Sequence, residues 1–434
     1  MMSNTQTTNV IVVGGGLAGL TVATLLARAG RTVRLFEKAR ELGGRADTQV
    51  KSEFHFNLGP HALYRGGAGM RMLRDLGVAF TGAAPNVAGG YAVAGGKLHT
   101  FPGGLVSLLT TGLLRWTEKR EAGRIFATLP KIDPQPLLHL TVQAWLERVS
   151  RYPKVRQLLQ AFFRVSTYAN APEHLSAGVA LAQAQLALTR GVLYLDGGWH
   201  TLVQGLRTRA EQVGVVIVTG QRVAAVEHDE AVRGVRLADG SFLPAAAVVL
   251  TGSPNEAAAL APQQSDLQAW AAAATPIKAA CLDVGLSHLP KPKALFALGV
   301  DQPLYCSVHS AVAKLGPTGG ATIHVAKYLD PMEDAEADAH ELEQLLDLMQ
   351  PGWRKVTVER RFLPHLTVYH ALPTAAGGGL AGRPGPFVPG VRHLCIAGDW
   401  VGAEGLLADA SFASAKRAAE LILAGGQEQA EIAA

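Results

Sequence analysis

Asn9-Val10-Ile11-Val12-Val13-Gly14-Gly15-Gly16-Leu17-Ala18-Gly19 is the stretch that decides the fold. Residues 9–13 form a β-branched run that reads as a fully buried strand. The G-x-G-x-x-G turn of Gly14, Gly16 and Gly19 follows at once. An apolar helical stretch over 20–29, ended by Gly30, leads to a second strand, Thr32-Val33-Arg34-Leu35-Phe36, which closes with Glu37. Strand, glycine turn, helix, strand and acid thus fall within the about 30 residues of a βαβ dinucleotide-binding unit. Each part has a physical task. Gly14 permits a tight turn, Gly16 lets backbone approach a pyrophosphate with no intervening Cβ, and Gly19 lets the helix pack closely on the strands. The helix N-terminus offers unpaired N–H groups and positive dipole potential to phosphates. Glu37, 18 positions after Gly19, is placed to accept hydrogen bonds from ribose hydroxyls.

Length and composition bound what this unit belongs to. A chain of 434 residues exceeds one compact core and suggests two domains, one interrupting the other. With 48% hydrophobic and 17% charged residues, general disorder is excluded. The net charge is only +5, and the basic residues form no stripe with interleaved aromatics, which argues against nucleic-acid binding. The three cysteines, Cys281, Cys306 and Cys395, show no CxxC spacing, so a reducing, cytoplasmic setting is expected. The 14 histidines contain no HExxH, and no metal site is expected. Residues 3–27 carry no charge, but they lack a basic start and are broken by Gly14-Gly15-Gly16, unlike a signal or anchor. No other stretch holds the roughly 18 consecutive apolar residues of a membrane span.

The G-x-G-x-x-G unit alone does not separate NAD from FAD. The continuation does. Glu37-Lys38-Ala39-Arg40-Glu41-Leu42-Gly43-Gly44-Arg45 resembles the E-x(5)-G-G-R signature of the FAD-dependent amine oxidase and carotenoid desaturase superfamily. Phe56-Asn57-Leu58-Gly59-Pro60-His61 resembles that family's D-x-G-P-H turn near the isoalloxazine, with Asn57 in place of the Asp. His393-Leu394-Cys395-Ile396-Ala397-Gly398-Asp399-Trp400, followed by a helix from about Ala408, resembles its C-terminal flavin motif. Asp409 and Ser414 stand where the family commonly has Gly. A mid-chain stretch from Leu195-Asp196-Gly197-Gly198 to Val223 resembles the segment whose valine meets the adenine. The resemblance implies non-covalent FAD held by Gly14, Gly16, Leu17, Ala18, Gly19, Glu37, Lys38, Gly44, Arg45, Gly59, Pro60, His61, Val223, Gly398, Asp399, Leu406 and Leu407. It also implies an α/β fold: a Rossmann-like FAD-binding domain of the glutathione-reductase type with an interleaved α+β substrate domain. The FAD-binding domain is expected from 1–65, 190–264 and 386–434, and the substrate domain from 66–189 and 265–385.

The substrate side is less specific. Residues 101–116 are strongly apolar and precede Glu118-Lys119-Arg120. They read as a buried core helix; the alternative is a lid or a peripheral membrane contact, with Arg115, Trp116, Lys119 and Arg120 at headgroup level. The stretch from Leu175 to Leu188 reads as core. Polar candidates near the flavin are His61, His324, Lys327, Tyr369 and His370, and none is singled out as the catalytic residue. No aromatic occupies the place of Leu406-Leu407 to form the cage of amine oxidases; Trp400 and Phe412 are the nearest. The reading is therefore an FAD-dependent oxidoreductase taking hydride from an apolar, isoprenoid or polyene-like substrate. The alternatives are an amine or protoporphyrinogen-type oxidase and, in another class, a catalytically silent flavin-binding partner protein. The sequence names no electron acceptor.

Overall fold

The computed structural model describes residues 9–87, 89–332 and 339–425. The expected α/β fold with a parallel sheet is present. Five parallel strands lie in the order Val216–Thr219, Thr32–Glu37, Asn9–Val13, Ala247–Leu250, Leu394–Ile396. The chain thus returns from near residue 394 to complete a sheet begun at residue 9. Alternation along these strands sorts the core. Val10, Val12, Val33, Leu35 and Val249 pack with the helices Leu17–Arg28, His200–Gln212 and Ala408–Leu423. Ile11, Phe36, Val248 and Leu250 pack with Val223, Val226 and Val235 of a small antiparallel sheet on the other face. Both faces are covered, which is why the strands read as unbroken apolar runs. In that small sheet the Asp239-Gly240 turn signal joins Val232–Leu237 to a third strand, Phe242–Pro244.

A second sheet of seven strands runs Thr357–Tyr369, Ile277–Leu286, Ala321–Tyr328, Leu304–Val308, Phe296–Gly299, Tyr91–Ala94, Lys97–Thr100. Its pairings are antiparallel except between Phe296–Gly299 and Tyr91–Ala94. Helices Trp116–Thr128, Val142–Val149, Pro153–Thr167 and Ala177–Arg190 gather a separate core around Trp145, Leu159 and Phe163. Of residues 175–188, the part up to Ala184 is core apart from Ala182, as its composition suggests, whereas Leu188 at the far end is exposed.

Residues 101–116 do not form a buried helix, and that expectation is corrected. Only Leu105–Thr110 is helical before the next helix begins at Trp116, and Leu113 and Leu114 between them are buried. Gly103-Gly104 before it and Gly112 after it limit the helix to under two turns, so one inward position, Leu108, is buried. Leu105 is 74% and Val106 75% exposed, and Leu109 and Trp116 also face outward. Among the described residues no helix is long and apolar enough to cross a membrane.

Candidate functional site

One cavity of about 580 Å³ runs from the glycine turn of residues 14–16 to the edge of the seven-stranded sheet. Three glycines shape its entrance in different ways. Gly14 has φ +111, and a Cβ there would lie 2.5 Å from Thr251 Oγ1. At Gly19 a Cβ would be 1.9 Å from Gly14 O, so the helix is drawn against its own loop. A Cβ on Gly16 would meet only Gly43 O, at 3.8 Å, and would otherwise project into the cavity. The helix that starts at Leu17 has no side-chain cap and no acidic residue in its first turn. The helix that starts at Ala408 also lacks a side-chain cap, and Leu407, Ala408 and Ser411 line the cavity. Two helix starts with free N–H groups therefore meet one elongated cavity, which suits a ligand carrying a pyrophosphate at one end and an electron-rich ring at the other.

Glu37 lies in the wall beside the glycine turn. Its Oε2 accepts from Gly15 N at 2.7 Å and its Oε1 from Ala39 N at 2.8 Å, so the carboxylate also holds the loop. Lys38 pairs with Glu256, another wall residue. Gly44, Arg45, Pro60, His61, Val223, Gly398, Asp399 and Leu407 all line the same space, brought together from three distant parts of the chain.

Asp399 is the electrostatic centre. Its Oδ2 accepts from Arg45 and its Oδ1 lies 2.9 Å from His370 Nδ1. Burial alone would raise its carboxyl, but Arg45 and the His370 hydrogen bond outweigh burial and hold it well below the usual carboxylate range. Arg45 also donates to Val368 O at 2.8 Å. Ser414 bonds both Gly398 N and Gly398 O at 2.9 Å, tying this turn to the last helix. Asp409 turns away from the cavity and accepts from Gly69 N at 2.7 Å. Asn57 supplies the acceptor expected of an Asp: its Oδ1 takes Thr48 Oγ1 at 2.7 Å and Trp199 N at 2.9 Å.

Several candidates lie elsewhere. Lys327 pairs with Glu341 at 2.5 Å, on the sheet face opposite His324, and does not line the cavity. Tyr369 is buried, and its hydroxyl has no partner. His324 is buried with Nδ1 2.6 Å from Asp283. Gly19 and Leu406 sit behind the wall. So does Gly59, where a Cβ would meet Leu366 Cδ2 at 2.7 Å and Cys281 Sγ at 2.9 Å. The structure adds wall residues with no local motif: Tyr168, Ala279, Cys281, Leu366 and Val368. Tyr168 ends the helix Pro153–Thr167 in a left-handed conformation and donates to Pro60 O at 2.9 Å.

Comparison with known proteins agrees with this geometry. The family model described as flavin containing amine oxidoreductase matches residues 17–284. A hydroxyneurosporene desaturase of Cereibacter sphaeroides is 30% identical over 283 residues, which are 56% of this chain and 56% of that protein. A 4,4'-diaponeurosporene oxygenase of Staphylococcus aureus is 27% identical over 291 residues, 55% of this chain and 54% of that protein. The match thus spans about half the length of these curated relatives. A redesigned putrescine oxidase shares the fold, with a TM-score of 0.77 at 16% identity over 96% of this chain and 99% of that one. With a cavity that fits the cofactor and a family match over more than half its length, the chain belongs to the flavin-containing amine oxidoreductases, and its cofactor is FAD.

Proposed function

We propose that the protein is an FAD-dependent dehydrogenase that desaturates an apolar substrate of polyene or isoprenoid type. The observation that carries this reading is the character of the far end of the cavity. Tyr168, Ala279, Cys281, Leu366 and Leu407 bound it, and the carboxylates of the wall lie elsewhere: Glu37 and Glu256 beside the glycine turn, Asp399 already paired. Nothing there compensates a cationic amine, whereas a neutral chain gains ~25 cal/mol per Å² of apolar surface removed from water. The carotenoid-type relatives support the same substrate class.

FAD, when bound, supplies the hydride acceptor. The protein's part is to bind, orient and exclude water. The free N–H groups of residues 17 and 18 would hold the pyrophosphate, Glu37 the ribose hydroxyls, and Val223 backbone the adenine. Arg45, locked by Asp399, would sit at the ribityl and phosphate portion. Cys281 faces the cavity, but burial pushes its thiol well above the usual range, so it stays protonated and is no nucleophile for a covalent flavin link. We assign 1–65, 190–264 and 386–434 to the FAD-binding domain and 66–189 and 265–385 to the substrate domain; the strands of the two large sheets divide along these lines. The exposed Leu105, Val106, Leu109 and Trp116, next to Lys119, would bring the protein to a lipid surface carrying such substrates.

The test is anaerobic bleaching of the bound flavin against a panel of isoprenoids, porphyrinogens and amines. Bleaching by the isoprenoids is expected. Rapid bleaching by a primary or secondary amine, with none by isoprenoids, would overturn the reading.

A further inference from the structure

His61 sits in the cavity wall between two backbone carbonyls. Its Nδ1 lies 3.0 Å from Gly59 O and its Nε2 3.1 Å from Arg45 O. Both neighbours can only accept. A neutral imidazole has one N–H, so it satisfies one carbonyl and turns the lone pair of its other nitrogen on the second. An imidazolium donates to both. The ring is held in this orientation by an edge contact with Trp199, with centroids 4.9 Å apart.

We propose that His61 is the proton acceptor of the flavin site, becoming an imidazolium as the cavity gains the charge of a transferred hydride and releasing the proton on reoxidation. This rests on the desaturase reading above.

The surroundings explain why the charge is coupled to the ligand. With no charge in the cavity, burial is the largest influence and holds the imidazole down to about 4; the Gly59 and Arg45 carbonyls pull upward, while the charges of His324 and Arg45 push it lower. The groups packed around His61 are Arg45 on the neighbouring turn, Trp199, and beyond them His324 and His309, whose rings are 4.5 Å apart. Asp283, the acid behind them, already takes His324 through Oδ1 and Arg361 through Oδ2. Asp399 is engaged by Arg45 and His370. None of the groups acting on His61 is an acid. The anion that stabilises an imidazolium here must therefore come from the ligand.

The stoichiometry closes. As R–CH2–CH2–R′ becomes R–CH=CH–R′, one carbon loses hydride with its electron pair and its neighbour loses a proton. FAD, when bound, would supply the acceptor for that hydride, which adds one negative charge to the cavity. For the proton the substrate releases, one is taken up at His61, on the nitrogen whose lone pair had faced a carbonyl, which adds one positive charge, so the cavity stays neutral.

The experiment is anaerobic photoreduction of the flavin-loaded full chain in weak buffer with a pH indicator, at mildly alkaline pH. The parent is expected to take up two protons per two electrons and His61→Gln one. Equal uptake in both would overturn the inference. Infrared difference spectra of the parent with ring-13C histidine give an answer even where the variant does not fold: an imidazolium signature on reduction is expected, and its absence would overturn the proposal. Flavin content is measured first. Protein that holds no flavin overturns the functional reading and this inference with it; loaded protein with no histidine signal overturns this inference alone.

Discussion

His61 and Asp399 line the same cavity, yet their surroundings treat charge in opposite ways. Burial dominates at His61 and favours the neutral ring; at Asp399 the contacts with Arg45 and His370 overcome burial and favour the carboxylate. Each has a consequence for stability. The folded pKa of His61 lies below its unfolded value, so its contribution is fully present above about 6.5 and is lost as pH falls toward about 4. A shift of this size corresponds to up to about 3 kcal/mol. Urea unfolding of the flavin-free protein should show the parent losing that much more than His61→Gln across this window; parallel pH profiles would refute the assignment. Arg45→Ala removes the partner of a buried carboxylate and should cost about 3 kcal/mol, read as a lower unfolding midpoint. Glu37→Ala should weaken FAD retention by about 1–3 kcal/mol, because the carboxylate both faces the cavity and anchors Gly15 and Ala39.

At the level of elements, the first helix separates folding from binding by single glycines. Gly16 has φ −81, which any residue adopts, and its missing Cβ faces the cavity. Gly16→Ala should therefore keep a near-parental melting temperature and lose flavin. Gly19→Ala should lose both, since its Cβ would overlap Gly14 O. A flavin-loaded Gly19→Ala protein would show that helix and loop are free to separate. The short helix Leu105–Thr110 gives the opposite case. Its apolar side chains face outward, so replacing Leu105 and Val106 with Asp should leave the unfolding midpoint unchanged and abolish flotation with liposomes. Loss of stability on that replacement would mean the helix is covered.

At the level of the whole molecule, the Gly398-Asp399 turn and the last helix clamp parts of the chain remote in sequence. Arg45 and Asp399 are 354 positions apart, and Asp409 reaches Gly69 across 340. Asp409 is squeezed against Gly67, where a Cβ would lie 1.9 Å from its Oδ2. Burial raises its carboxyl to about 6, while the Gly69 hydrogen bond and Arg71 partly offset this. A raised folded value means the stabilisation is complete below about 3.8 and is lost as pH rises through about 6. Asp409→Asn keeps the acceptor for Gly69 without the charge. It should stabilise the protein at neutral pH by up to about 3 kcal/mol, measured by chemical unfolding, and the advantage should vanish in acid.

What the sequence determined by itself is local. The strand, glycine turn, helix and acid of residues 9–37 are legible because spacing along the chain sets backbone geometry directly, and the Gly398-Asp399 turn before Ala408–Leu423 is legible for the same reason. Only the tertiary structure decided which side chains share the cavity. Sheet alternation sends Lys327 to the face opposite His324 and its neighbours Ala326 and Tyr328, and it turns His370 toward Asp399 while Tyr369 points into a separate core. The apolar run of 101–116 reads as one core helix because its composition is that of core, but glycines at both ends leave the helix Leu105–Thr110 too short to bury more than Leu108, and only Leu113 and Leu114 beyond it join the core. His61 is visible as a residue in a turn. That two carbonyls flank its ring, and that every nearby acid is already paired, follows from strands and loops that meet only when the chain has closed.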